Sequence, residues 1–253
     1  MYWGVDIGST YTKICGLDDS QNIIDTKIIP TIVNQDEIVK EYLQDKKVEM
    51  LVSTGYGRHM IEEIFSCPVI SEIKAHAKAA YYFQNDADMV IDLGGQDSKV
   101  IKLDLSGGFI DFKMNDKCAA GTGKFLEIAS NRMGLKLEEF SKIGFEATKE
   151  LSISSMCAVF AESEVISLIA KKESASNICY AVHESIASRL ASMARKFAIK
   201  SDKIIFSGGG ALNPFLLYLV SKKLDKEVIA SKYPQLAGAI GSALAGYEVY
   251  KQL

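Results

Sequence analysis

One pattern, written twice, constrains this chain more than any other feature. Val5-Asp6-Ile7-Gly8-Ser9-Thr10-Tyr11-Thr12-Lys13-Ile14 near the N-terminus is matched by Ile91-Asp92-Leu93-Gly94-Gly95-Gln96-Asp97-Ser98-Lys99-Val100. Each copy reads as an apolar strand, an Asp, an apolar residue, a Gly, a small residue, and a Lys five places after the Gly. The offsets agree: 92 − 6, 94 − 8 and 99 − 13 all give 86. A duplicated Asp-x-Gly turn predicts two similar α/β domains, each presenting a hairpin turn to one nucleotide.

The 253 residues suffice for one large domain or two small ones with real cores. The formal net charge of −3 offers no general basic surface for nucleic acid. No apolar run approaches the roughly 18 residues that a membrane span needs. Asp6 interrupts any signal-like apolar stretch at the start. A cytoplasmic protein is therefore expected, with no membrane or nucleic-acid partner. In a reducing compartment its five cysteines are not a disulfide framework, so each needs its own reading.

With only four prolines and no Gly/Ser linker, any domain boundary must be a packed hinge. Strands are predicted at 3–7, 12–17 and 22–29, a helix at 36–46, a strand at 49–54 ending in the Gly55-Tyr56-Gly57-Arg58 loop, and a helix at 73–83. The second unit repeats this, with strands at 89–93, 99–103 and 108–115. Helices follow at 121–133, 157–171 and 177–198, then a buried-type strand at 203–207 and a helix from Pro214. A small-residue helix at 236–250 closes the chain, its glycines allowing another backbone to come close.

The duplicated turns have the composition of a Mg²⁺–nucleotide site. Mg²⁺ keeps several waters and is held by one or two carboxylates plus phosphates, a role open to Asp6 and Asp92. Gly8, Ser9, Thr10, Gly94 and Gly95 let backbone N–H groups approach phosphate oxygens, and Lys13 adds a compact positive charge. Gly208, Gly209, Gly210 and Asn213 lie between a buried strand and a helix, where an adenosine would fit. Gln96 and Glu162 are the candidates to orient an attacking water, and Asp97 reads as a loop-capping residue. These features resemble the actin, Hsp70 and sugar kinase ATPase superfamily. That resemblance implies an α/β, two-lobed actin-like (ribonuclease H-like) fold with a central nucleotide cleft. Residues 1–84 plus 238–253 would form one lobe and residues 85–237 the other.

Cys118 and Cys157 each precede a predicted helix, where a thiolate is favoured. They are 39 residues apart (157 − 118) with no Cys-x-x-Cys, so spacing alone favours two small core thiols. A cubane iron–sulfur cluster needs four cysteines, which two chains on a two-fold axis could supply. Cys15, Cys67 and Cys179 read as filler, and His59, His76 and His183 lack metal-ligand spacing.

The segments Asn115-Asp116-Lys117-Cys118-Ala119-Ala120-Gly121-Thr122-Gly123 and Cys157-Ala158-Val159-Phe160-Ala161-Glu162-Ser163-Glu164 resemble signatures of the BadF/BadG/BcrA/BcrD ATPase family. That family contains the 2-hydroxyacyl-CoA dehydratase activators. Thr54-Gly55-Tyr56-Gly57-Arg58, Asp92-Leu93-Gly94-Gly95-Gln96-Asp97 and Pro234-Gln235-Leu236-Ala237-Gly238-Ala239 are similar too, and bring Gln235 into the nucleotide set. The resemblance implies a homodimer holding one [4Fe–4S] cluster through Cys118 and Cys157 of each chain. It further implies an oxygen-sensitive ATPase that binds ATP/ADP and Mg²⁺ and takes an electron from reduced ferredoxin or flavodoxin. That electron passes to an iron–sulfur dehydratase, a benzoyl-CoA reductase-like enzyme or a double-cubane-cluster partner. The competing reading is an amino sugar kinase of the same superfamily, in which both cysteines are incidental. A third reading is a nucleotide-dependent switch or filament protein.

Overall fold

The computed structural model describes residues 1–154 and 157–252; Ser155, Met156 and Leu253 lie outside the described residues. The chain divides into two compact units. The first comprises Met1–Asp86, Leu103–Phe109 and Gln235–Leu253, and the second comprises Ala87–Lys102 and Ile110–Pro234.

In the first unit, β1 (Tyr2–Ile7), β2 (Tyr11–Leu17) and β3 (Ile23–Pro30) form consecutive antiparallel hairpins. After α1 (Gln35–Leu43), β4 (Met50–Gly55) returns parallel to β1, giving the order β3-β2-β1-β4. α2 (Arg58–Phe65) and α3 (Glu72–Phe83) follow. Every residue of β1 is buried, as expected for a central strand covered on both faces. Its side chains alternate between two cores: Trp3, Val5 and Ile7 pack with Val39, Leu43 and Ile61, and Tyr2 packs with Ala79 and Ile240.

The second unit holds β5 (Met89–Leu93), β6 (Ser98–Leu103) and β7 (Phe109–Asn115), then α4 (Gly123–Arg132), α5 (Leu137–Ile143), α6 (Ala158–Ala170) and α7 (Ala175–Ala198). β8 (Ile204–Ser207), α8 (Pro214–Leu224) and β9 (Val228–Ala230) complete it, with sheet order β7-β6-β5-β8-β9. β5 is antiparallel to β6 and parallel to β8. Met89, Ile91 and Leu93 bury one face of β5 against Phe125 of α4, Ile186 of α7 and Phe215 of α8. α9 (Ala237–Lys251) then belongs to the first unit. A Cβ on Gly241 would lie 1.8 Å from the Ala75 carbonyl oxygen, so this position in α9 admits α3 only because it has no side chain.

The 86-residue offset extends well beyond the Asp-x-Gly turns. β1, β2 and β3 map onto β5, β6 and β7, and β4 and β8 take the same parallel place beside the first strand. The hairpin tips match as well. Asp18 Oδ1 accepts from the N–H groups of Ser20 and Asn22, both at 2.8 Å. Asp104, at 18 + 86, accepts from Ser106 and Gly108 at 2.8 and 2.9 Å. Gln21 and Gly107, again 86 apart, both have positive φ, at 62° and 79°.

Three elements go beyond the sequence reading. α2 starts at the predicted Gly55–Arg58 loop without a side-chain cap and buries only Ile61. α5 also lacks a side-chain cap, and β9 has three residues. α7 begins two residues before its predicted start because the Ser174 hydroxyl accepts from Asn177 N–H as an N-cap.

Candidate functional site: two phosphate-type turns and two accessible cysteines

The first turn joins β1 to β2. Gly8 N–H donates to the Tyr11 carbonyl at 3.1 Å, closing the hairpin. Ladder pairing sets Asp6 opposite Lys13, and Lys13 Nζ lies 3.2 Å from Asp6 Oδ2. Thr31 braces the turn from β3's end: its hydroxyl donates to the Gly8 carbonyl at 2.8 Å and its N–H to the Thr10 carbonyl at 3.0 Å. Ser9 and Thr10 sit half-buried at the tip. Gly55, at φ 88°, ends β4 against this turn, and a Cβ there would lie 2.6 Å from Asp6 Oδ1. Gly238 comes equally close on the other carboxylate oxygen, at 2.6 Å from Asp6 Oδ2. Gln235 is half-buried in the 3-10 turn that leads into α9.

The second turn joins β5 to β6 and repeats the backbone. Gly94 N–H donates to the Asp97 carbonyl at 3.0 Å, and Asp92 pairs with Lys99 across the ladder. The side chains differ. Lys99 Nζ lies 2.7 Å from Asp97 Oδ2 and 3.5 Å from Asp92 Oδ2, with all three groups nearly inaccessible. Asp97 therefore holds the lysine, beyond its sequence reading as a loop cap. Gln96 is exposed at the tip. Gly208, at φ 78°, ends β8 here as Gly55 ends β4, and a Cβ would lie 2.7 Å from Asp92 Oδ1.

Gly209 and Gly210 begin a short 3-10 turn that ends at Asn213. Asn213 has both ends of its side chain engaged within the protein. Its Oδ1 caps α8 by accepting from Leu216 N–H at 2.9 Å, and its Nδ2 donates to His183 Nε2 at 2.8 Å. His183 Nδ1 in turn donates to the Cys179 carbonyl at 2.8 Å. Burial keeps this imidazole neutral, with its pKa pushed down to about 4. The sequence offered no metal-ligand spacing for His183; its structural partner is an amide on the glycine-rich loop.

The five cysteines separate into two classes. Cys15, Cys67 and Cys179 are buried, and burial raises each thiol, Cys15 and Cys179 to about 12. Cys118 is half-buried and Cys157 is exposed. Cys157 is the N-cap of α6, its carbonyl accepting the first helical bond from Ala161 N–H at 2.9 Å. Cys118 precedes a 3-10 turn, Ala119–Gly121, rather than α4 itself, which starts at Gly123. Asn115 clamps the cysteine backbone, with Oδ1 accepting from Cys118 N–H at 3.1 Å and Nδ2 donating to its carbonyl at 2.9 Å. Glu162 ion-pairs with Arg132 of α4, so its carboxylate is already engaged. On α6 the apolar side chains Val159, Phe160, Ile166 and Ile169 are all exposed.

A family model described as the BadF/BadG/BcrA/BcrD ATPase family matches residues 3–246. The chain belongs to this family. The activator of lactoyl-CoA dehydratase from Anaerotignum propionicum is 38% identical over 253 residues, covering 97% of this chain and 96% of the relative. A solved structure of the activator of 2-hydroxyisocaproyl-CoA dehydratase from Clostridium difficile, with bound ADPNP, aligns with TM-score 0.92 at 33% identity. It covers 100% of this chain and 96% of the other. A ROK family glucokinase from Streptomyces griseus shares the fold alone, with TM-score 0.62 at 16% identity over 98% of this chain and 99% of that one.

The donor sets suit the groups that the family implies. Among the described residues no three His, Cys, Asp or Glu side chains form a metal-binding group. Mg²⁺ does not need one, because one or two carboxylates suffice when water and phosphate complete its shell. The second turn carries two carboxylates to one lysine, the first one carboxylate to one lysine. For a four-iron cluster, two accessible thiols per chain are half of the required donors.

Proposed function

We propose that this protein is an ATP-dependent one-electron donor acting on a 2-hydroxyacyl-CoA dehydratase, a related reductase or a double-cubane-cluster enzyme. The observation that carries the reading is the division of its cysteines, with Cys118 and Cys157 accessible beside helix-entry backbone and the other three sealed in cores.

In this reading the nucleotide phosphates engage the backbone of Gly8, Ser9, Thr10, Gly94 and Gly95, with Lys13 adding positive charge. Asp6 and Asp92 hold Mg²⁺ largely through its waters, and the Gly208–Gly210 loop and Gln235 accommodate the nucleoside. Asn213 caps α8 at the end of that loop. Gln96 is the candidate to orient the attacking water, because it is exposed at the tip while Glu162 is paired with Arg132. Cys118 and Cys157 of two chains would hold one [4Fe–4S] cluster, and the exposed apolar side of α6 supports pairing with a second copy. When bound, such a cluster supplies a one-electron store, filled from reduced ferredoxin or flavodoxin. Uphill transfer costs about 2.3 kcal/mol per 100 mV, which nucleotide free energy can cover over a few hundred millivolts.

The test is anaerobic, with dithionite-reduced protein and a low-potential viologen as acceptor. The expected result is one electron delivered per two chains, faster with Mg·ATP than without. A rate indifferent to nucleotide overturns the coupling, and phosphate transfer to an amino sugar would establish the kinase instead.

A further inference from the structure

The second turn is bonded directly to the helix that follows Cys118. Gly123 N–H donates to the Gly94 carbonyl and Lys124 N–H to the Gly95 carbonyl, both at 2.9 Å. These are the first two amides of α4, which an α-helix leaves without intrahelical partners. The chain has no cis peptide bonds among its described residues, so the N–H of each of these turn peptides points opposite to its carbonyl. The N–H groups of Gly95 and Gln96 therefore point away from α4. Among the described residues neither donates to a protein acceptor. The approach is tight, since a Cβ on Gly123 would lie 3.0 Å from the Gly94 oxygen. The first turn has no such arrangement, because its Gly8 and Thr10 carbonyls accept from Thr31.

We propose that the Gly94–Gly95 and Gly95–Gln96 peptide groups relay phosphate occupancy to α4. Gly123 is then the positioning residue that conveys nucleotide state to the Cys118 segment. A phosphate oxygen accepting from either turn N–H polarises that peptide and strengthens its carbonyl as an acceptor for α4. The relay is one-sided, since only the second turn carries it. It rests on the ATP-binding reading above and adds to it the route by which phosphate binding reaches a cysteine.

Hydrogen exchange on the anaerobically purified protein, with and without Mg·ADP and Mg·ATP, tests this by mass spectrometry of peptides covering residues 121–126. Nucleotide is expected to slow exchange at Gly123 and Lys124 by about two- to tenfold, with smaller changes later in α4. In cluster-free protein, nucleotide should also change the rate of Cys118 alkylation. Gly123→Ala should abolish that response with nucleotide affinity within about threefold of the parent, and Thr31→Ala should leave it intact. Bound nucleotide with unchanged exchange at Gly123 and Lys124 overturns the relay and leaves ATP binding standing. So does a full Cys118 response in Gly123→Ala. Failure of the parent protein to bind nucleotide overturns the ATP-binding reading itself, and the relay with it.

Discussion

The two turns share a backbone and differ in charge. Both close with a Gly N–H to the third residue's carbonyl, both set an Asp opposite a Lys, and both meet a positive-φ Gly from a parallel strand. At the place where the first turn carries exposed Tyr11, the second carries buried Asp97 (97 − 86 = 11). One lysine then serves one carboxylate in the first turn and two in the second. The bracing differs as well: Thr31 supports the first turn, and the start of α4 supports the second. Ladder register therefore preserved the same turn backbone in both units, while single side chains set their charge apart. The first turn is close to neutral and locally braced. The second keeps one formal negative charge and is bonded to the helix that follows Cys118.

The widest gap between the turns should appear on removing their lysines. Lys99→Met removes the lysine that two buried carboxylates share and is expected to cost about 3–5 kcal/mol in urea unfolding. Lys13→Met strips a single carboxylate of its lysine at a slightly more accessible pair and should cost less than Lys99→Met. Equal losses would show that Asp97 does not distinguish the turns.

The second unit should also be the acid-sensitive one through His183. Its folded pKa is depressed to about 4 from 6.5, so as pH falls the unfolded chain takes the proton first. This contribution is intact above pH 6.5 and declines until about pH 4, by about 3 kcal/mol. Urea unfolding across that range should show a shallower pH slope in His183→Gln than in the parent; identical slopes would remove His183 from the account.

Mg·ATP titration calorimetry sharpens the charge comparison. Asp92→Asn is expected to weaken binding by about 10–100-fold, and Asp6→Asn by less. The reverse order would assign the cation to the first turn. The smallest contrast should be between Gly55→Ala and Gly208→Ala. Each places a Cβ on a positive-φ backbone, 2.4 Å from the Ile7 carbonyl oxygen or 2.3 Å from that of Leu93 and close to an Asp carboxylate. The two should therefore lose similar stability, more than the ~1–3 kcal/mol of backbone strain alone.

Most of the strand framework was legible because short apolar runs bounded by turn residues, and the Asp-x-Gly spacing, are local signals. α2, α5 and β9 were not, because short elements without side-chain caps leave little pattern to read. The glycines of α9 were read as sites of close approach, and Gly241 against Ala75 is one. The Asp97–Lys99 pair had a signal that went unused, since Asp97 stands immediately before β6, and residues two apart in extended backbone share a face. The pairing of Glu162 with Arg132, 30 positions away, and of His183 with Asn213, also 30 away, had none, because tertiary packing alone brings them together. The accessibility of Cys118 and Cys157 likewise could not come from spacing, which favoured two core thiols.

The central claim is most directly tested by measuring iron and acid-labile sulfide on anaerobically purified protein, beside the Cys118→Ala and Cys157→Ala variants. The account predicts about four of each per two chains, with both variants losing the cluster. Parent protein without iron after anaerobic reconstitution, or variants that keep the parent's full iron content, would contradict it.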